Sequence, residues 1–141
     1  MAHHRHSPVS GSHTLRTLLL VGTGGFIGSV LRYLLSSYVQ QLSKGFQFLF
    51  GTLIVNVVGC VLVGFLAKLA DQRNLISDET RGFLIVGILG GFTTFSAFSL
   101  DFALLAERKS YALAGAYAGA SVVLSLAAVF AGIYLVRALA Q

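Results

Sequence analysis

Asn56 is the only asparagine inside a long apolar run, Gly51-Thr52-Leu53-Ile54-Val55-Asn56-Val57-Val58-Gly59. A primary amide in hydrocarbon must find partners. It serves either as interhelical glue or as a donor facing a polar pathway. Thr52, one turn earlier on the same face, extends the polar stripe. Tyr117, Ser121 and Ser125 fall at i, i+4 and i+8, which lines up three hydroxyls along one helical face. A third cluster is Gly90-Gly91-Phe92-Thr93-Thr94-Phe95-Ser96-Ala97-Phe98-Ser99. Its threonines and serines are donors, and Phe95 and Phe98 stand three apart, with Phe92 and Phe102 extending the stripe. A phenyl ring has a positive edge, so a pair of edges can meet an anion in a low dielectric. All of these groups are neutral, which suits passing contact with an anion.

Other chemistries lack their residues. All four histidines lie in the first 14 residues, MAHHRHSPVSGSHT. His3, His4 and His6 could hold a metal, but that stretch reads better as a mobile tail. Cys60, the single cysteine, has no histidine partner and reads as a small packing residue. The one acid within an apolar run is Asp101, near the end of the third. A hydrolase would need a nucleophile with a base, or a ligated metal. The residues supply neither, and the expectation is that this is not an enzyme.

The elements that position these residues follow from composition and charge. Of 141 residues, 55% are hydrophobic and 11% charged, with mean hydropathy +0.80. A soluble domain averages about 25% charged residues. Charge-free runs of 23, 19 and 27 residues separate Lys44 from Lys68, Arg81 from Asp101 and Lys109 from Arg137. About 20 apolar residues cross a bilayer as a helix. A fourth run, Thr17 to Leu31, leads into Arg32. None alternates as membrane strands do. The prediction is an all-α membrane protein in one domain, 15–141, after a tail over 1–14. Its four transmembrane helices cover about 15–38, 48–69, 81–106 and 111–138. The first is read as retained, without a clean signal-peptide cleavage site.

Gly22-Thr23-Gly24-Gly25-Phe26-Ile27-Gly28 mimics a dinucleotide loop, but Ile27 stands where the third glycine belongs. No acid precedes Asp71 to hold a ribose. Gly24 and Gly28 instead have the small-xxx-small spacing of close helix packing, repeated by Gly115 and Gly119. In the third run, paired glycines before two threonines make a poor helix centre. They predict a mid-membrane break, caused by glycine because no proline lies in any span. Carbonyls freed there must be buried or coordinate a cation; the alternative is a kinked, packed helix. Net charge is +5, but the basic residues cluster at helix ends, where they meet headgroups rather than nucleic acid. One side carries Arg5, Arg16, Lys68, Arg73, Arg81 and Arg137; the other carries Lys44, Arg108 and Lys109, with Arg32 if it snorkels there. That bias specifies orientation poorly and admits insertion both ways round.

Three segments together resemble the small fluoride channel family known as Fluc or CrcB. They are Gly24-Gly25-Phe26-Ile27-Gly28-Ser29-Val30-Leu31-Arg32-Tyr33, the Gly51–Gly59 run and the Gly90–Ser99 run. The resemblance covers nearly the whole chain from about residue 18. It implies a fluoride-selective channel giving passive efflux, multi-pass in the cell (inner) membrane, with no nucleic acid partner. It implies an antiparallel, dual-topology homodimer with two pores. Asn56 would line the pore, and Phe95 and Phe98 would turn ring edges to fluoride. Thr52, Ser96, Tyr117, Ser121 and Ser125 would add hydroxyls, and Arg32 would sit near the vestibule. A structural sodium ion would be held by backbone carbonyls of Gly90 and Thr93. Ala97 stands where members often carry a hydroxyl residue, and Asp101 where glutamate is common. A small multidrug exporter is the nearest competitor, but it needs an acid in the first span, which is absent. A non-transporting assembly subunit is the other, with Asn56 and the hydroxyls as buried pairs.

Overall fold

The computed structural model describes residues 11–43, 47–73 and 76–140. His3, His4, His6, Arg5 and Lys44 lie outside the described residues. Helix α1 spans Gly11–Leu42 and α2 spans Gln47–Arg73. The third span is assembled from α3 (Asp78–Arg81), a π-helix over Gly82–Leu89, α4 (Gly90–Phe92) and α5 (Phe95–Glu107). Helix α6 spans Tyr111–Leu139. Among the described residues, four spans are long and apolar enough to cross a membrane: Thr14–Leu42, Leu49–Asp71, Asp78–Glu107 and Tyr111–Leu139. The helices run past the apolar stretches because intrahelical hydrogen bonding does not stop where the side chains turn polar.

Two glycine-mediated seams hold the bundle. Helix α1 lies along the first half of the third span, and α2 lies along α6. At the first seam, a Cβ on Gly24 would stand 2.6 Å from the Phe83 carbonyl oxygen, and one on Gly28 would collide with the Ile88 carbonyl oxygen. Gly91 in turn has room for no Cβ against the Gly25 carbonyl. At the second seam, Gly64 abuts the Val129 carbonyl and Gly132 that of Val61. Such backbone-on-backbone approach replaces the hydrophobic drive that helices lack inside lipid. The Gly24–Gly28 expectation therefore holds. Gly115 and Gly119 differ: among the described residues nothing comes within 4 Å of either Cβ position. Their spacing is right, but that face of α6 turns away from the protomer.

The ends are capped locally. The Ser77 hydroxyl accepts from Thr80 N at 3.2 Å at the start of α3, where Asp78 and Glu79 complement the helix dipole. Arg16 meets Glu79 at 3.2 Å, joining the entry of α1 to that of the third span. Helix α5 closes with Lys109 N bonded to Ala106 O at 2.9 Å and Ser110 N to Leu105 O at 3.0 Å. This is a Schellman closure with lysine, at φ 57°, where glycine is usual. The turn reverses the chain tightly into α6.

The two glycine settings predict opposite outcomes. Gly28→Ala should lower stability by about 1–3 kcal/mol, because the added methyl must push α1 off Ile88. Gly115→Ala should cost nothing and gain up to about 1 kcal/mol of helix propensity. Unfolding titrations in mixed detergent micelles read both.

Candidate functional site

The site is built around the interruption of the third span. Thr93 (φ −79°, ψ 153°) and Thr94 (φ −150°, ψ 125°) are extended. Thr93 closes the preceding turn, its amide and hydroxyl reaching the Leu89 carbonyl at 3.0 and 2.9 Å. In a continuous helix, Thr94 N–H would donate to the Gly90 carbonyl. Here it donates to Asn56 Oδ1 at 2.9 Å, while Asn56 Nδ2 donates to Thr94 O at 3.0 Å. The pairing itself fixes the amide orientation, since an N–H can meet only the oxygen end. Thr94 Oγ1 then accepts from Ala97 N at 3.2 Å and caps α5. It also pairs with Ser96 Oγ at 3.0 Å.

The break is thus present, but its cause differs from the sequence expectation. Gly90 and Gly91 remain helical in α4. A threonine cap and a cross-helix amide clasp make the interruption, and Gly91 serves packing against α1.

Two grooves flank the break and share Thr94. The first, a cavity of about 330 Å³, brings together Asn56 and Cys60 of α2, Phe95 and Phe98 of α5, and Ser121 and Ser125 of α6. Phe95 and Phe98 tilt at 45° with centroids 5.3 Å apart. Phe98 packs on Tyr117 at 5.4 Å and on the Leu49–Leu105 cluster, whereas Phe95 is 78% exposed. Ser121 is 8% exposed, and its Oγ has no hydrogen-bond partner. The Thr52 and Ser121 hydroxyls stand near the Tyr117 phenol, without completing a bond in the case of Ser121.

Tyr117 itself is committed elsewhere: its hydroxyl donates to Asp101 Oδ2 at 3.0 Å. Both residues are buried, as is Thr52. These three form a polar knot below the groove rather than part of its lining. Other hydroxyls of the third span are likewise spent on their own helix, Thr93 on Leu89 and Ser99 on Phe95 at 3.0 Å.

The second groove, about 480 Å³, holds Arg32 and Ser96, with Ser36, Ser37 and Gln40 of α1. Arg32 and Ser96 are therefore on the opposite side of the break from Phe98. Ala97 faces this second groove too, so its missing hydroxyl bears on the Arg32 side and not on the phenylalanine side. Sequence reasoning passed over Ser29, Ser36, Ser37 and Gln40. Ser29, Arg32, Ser36 and Gln40 step by three or four, which marks a polar face on an apolar helix, and that periodicity was available. The Asp101–Tyr117 bond had no signal, because the partners are 16 residues apart on different helices.

Four spans long and apolar enough to cross a membrane, with two grooves beside a clasped helix break, define a multi-pass membrane protein. The family described as CrcB-like protein, Camphor Resistance (CrcB) matches residues 19–133. The chain belongs to that family. It is 54% identical over 121 residues to the fluoride-specific ion channel FluC of Rhizobium etli, covering 86% of this chain and 96% of that one. It is 52% identical to the FluC of Agrobacterium fabrum over 85% of this chain and 95% of that one. For the FluC of a Caulobacter species the identity is 49%, over 85% and 94% respectively. These relatives are named channels, and the family is one of ion channels, not enzymes.

The clasp generates a prediction. Thr94→Val removes the α5 cap and should lower stability by about 1 kcal/mol, whereas Thr94→Ser should not. Asn56→Asp keeps the acceptor for Thr94 N–H but loses the donor to Thr94 O, and should cost at least about 1 kcal/mol. The same detergent titration, followed by near-ultraviolet circular dichroism, reads the loss.

Proposed function

We propose that this chain is a fluoride-selective channel that lets fluoride leave the cell passively; its relatives are named fluoride-specific ion channels. The observation that carries the reading is one groove that Asn56, Phe95, Phe98, Ser121 and Ser125 wall together. Asn56 retains its second amide hydrogen after bonding Thr94 O, and Ser125 stands one turn beyond Ser121.

Fluoride is small and strongly hydrated, so its water must be replaced by several donors at once. Neutral hydroxyls, an amide and phenyl edges do this without a fixed cation that would hold the ion. Phe95 and Phe98 supply the edges. Tyr117 and Thr52 act at the foot of the track, where the Asp101 bond sets the phenol that Phe98 rests on. Arg32, with Ser96 in the second groove, raises the local anion concentration from the vestibule side.

The unit is an antiparallel, dual-topology homodimer. Support comes from the exposed polar surface at the break. Gly90 and Ser96 are exposed on the protomer, and Gly90 O has lost its Thr94 donor. Hydrocarbon does not tolerate such backbone, so protein must cover it. A second copy does so, and two-fold symmetry then duplicates the groove to give two pores.

The carbonyls of Gly90 and Thr93 fit a structural sodium ion. They are hard oxygen donors at a helix interruption, the donor type that such ions take in broken membrane helices. When bound, the ion supplies positive charge that offsets the anion pathway and ties the two copies together.

The test is purified protein in liposomes loaded with fluoride or chloride. Fluoride should escape and chloride stay. Phe98→Ile and Asn56→Ala should each slow fluoride efflux by about tenfold or more, the equivalent of one lost contact of about 1.4 kcal/mol. No fluoride efflux from folded protein overturns the function. Unchanged efflux in a variant removes that residue from the pathway.

A further inference from the structure

Arg32 is half-buried and stands ten residues inside the Leu42 end of its span, about 15 Å along the helix. A guanidinium at that depth needs a counter-charge or water. The protein's own acids are committed elsewhere. Of the five, Glu79 pairs with Arg16, Asp71 pairs with Lys68, and Asp101 accepts from Tyr117. Asp78 and Glu107 occupy the outer ends of α3 and α5. Among the described residues Arg32 makes no ion pair and no hydrogen bond.

The second groove surrounds this charge with donors. Eight of its ten lining residues carry a side-chain hydrogen-bond donor, and none carries a carboxylate. Ser36 and Gln40 follow Arg32 by one and two turns on the same face. At about 480 Å³ the groove has room for a polyatomic ion with several waters of about 30 Å³ each.

We infer that this groove is a binding site for a tetrahedral oxyanion of the phosphate class, seated on the Arg32 fork, and that an oxyanion held there slows fluoride entry. A guanidinium is planar and weakly hydrated, and it gives two parallel N–H bonds to two oxygens of one phosphate. A single-atom ion cannot take both bonds in that geometry. Fluoride passes Arg32 as a hydrated, steered ion, whereas an oxyanion stays. The remaining phosphate oxygens accept from the Ser36 hydroxyl and the Gln40 amide. Occupancy of the groove stands on these residues alone. The inhibition rests on the conduction reading above, in which Arg32 draws anions in.

The first experiment titrates full-length protein in dodecyl maltoside, a detergent without phosphate. Inorganic phosphate, sulfate and chloride are added at matched ionic strength and binding is read by calorimetry. Phosphate and sulfate should bind and chloride should not. Arg32→Lys keeps the charge but loses the fork, and should bind phosphate about tenfold more weakly. Gln40→Leu should weaken binding about threefold. In phosphatidylcholine liposomes, phosphate on both faces should slow fluoride efflux severalfold and matched chloride should not. Arg32→Lys, measured against its own phosphate-free rate, should lose most of that slowing. Equal responses to phosphate and chloride are charge screening and overturn the inference. So does wild-type phosphate affinity in both folded variants, and so does saturating phosphate with unchanged efflux. Binding of short-chain phosphatidylglycerol without binding of inorganic phosphate gives the groove to a lipid headgroup and overturns the soluble-oxyanion site. Absence of fluoride efflux from folded, phosphate-free protein is a failure of the conduction reading instead, and the detergent titration then decides the site by itself.

Discussion

A peptide group exposed inside a bilayer has no water to bond, and this constraint organises the protein. Thr94 is the place where the third span violates helical hydrogen bonding, and Asn56 is the side chain that repairs it. The amide presents one acceptor and one donor, so it takes up the Thr94 N–H that has no helical acceptor and adds a bond to Thr94 O. A threonine or serine could satisfy only part of that demand. The clasp holds α2 against the interruption, and the cap at Thr94 restarts α5 in a new direction. The positions of Phe95 and Phe98 depend on that restart.

Around the clasp the bundle divides its labour. Glycines seal the α1 seam to the first half of the third span, and the α2 seam to α6. Small residues are used there because lipid offers helices no hydrophobic reason to associate. The second half of the third span is left looser, and the two grooves open on either side of it. One is aromatic and hydroxylic; the other carries the arginine. Division of neutral donors from fixed charge is what a conducting anion route needs, since capture and release must be separated.

The hydroxyl inventory shows why counting donors in a sequence overstates a polar track. Thr93 and Ser99 bond their own helix, and Tyr117 bonds Asp101. Ser121 is the buried hydroxyl that remains uncommitted among the described residues. Asn56 clasps Thr94 and still keeps one amide hydrogen over, so the interhelical bond does not use up its donors. Cys60, read as a packing residue, is half-buried one turn from Asn56 and borders the same groove.

The sequence by itself determined the four spans, because charge-free length and helical periodicity are local properties that the bilayer reads directly. It also determined the polar face of α6, the Gly24–Gly28 seam and the existence of a break near residue 93. Family membership was legible in three short segments, since their glycine, asparagine and phenylalanine spacings are unusual together. Tertiary structure decided what each of those residues touches. It assigned the break to a cap and a clasp instead of to glycine, turned Gly115 and Gly119 outward, and paired Tyr117 with Asp101. It also wound Gly82–Leu89 as a π-helix, for which the chain carries no local signal. For the clasp, the Tyr117–Asp101 bond and the outward glycines the physical reason is the same: helical periodicity gives a residue's face without naming what, if anything, will stand opposite it.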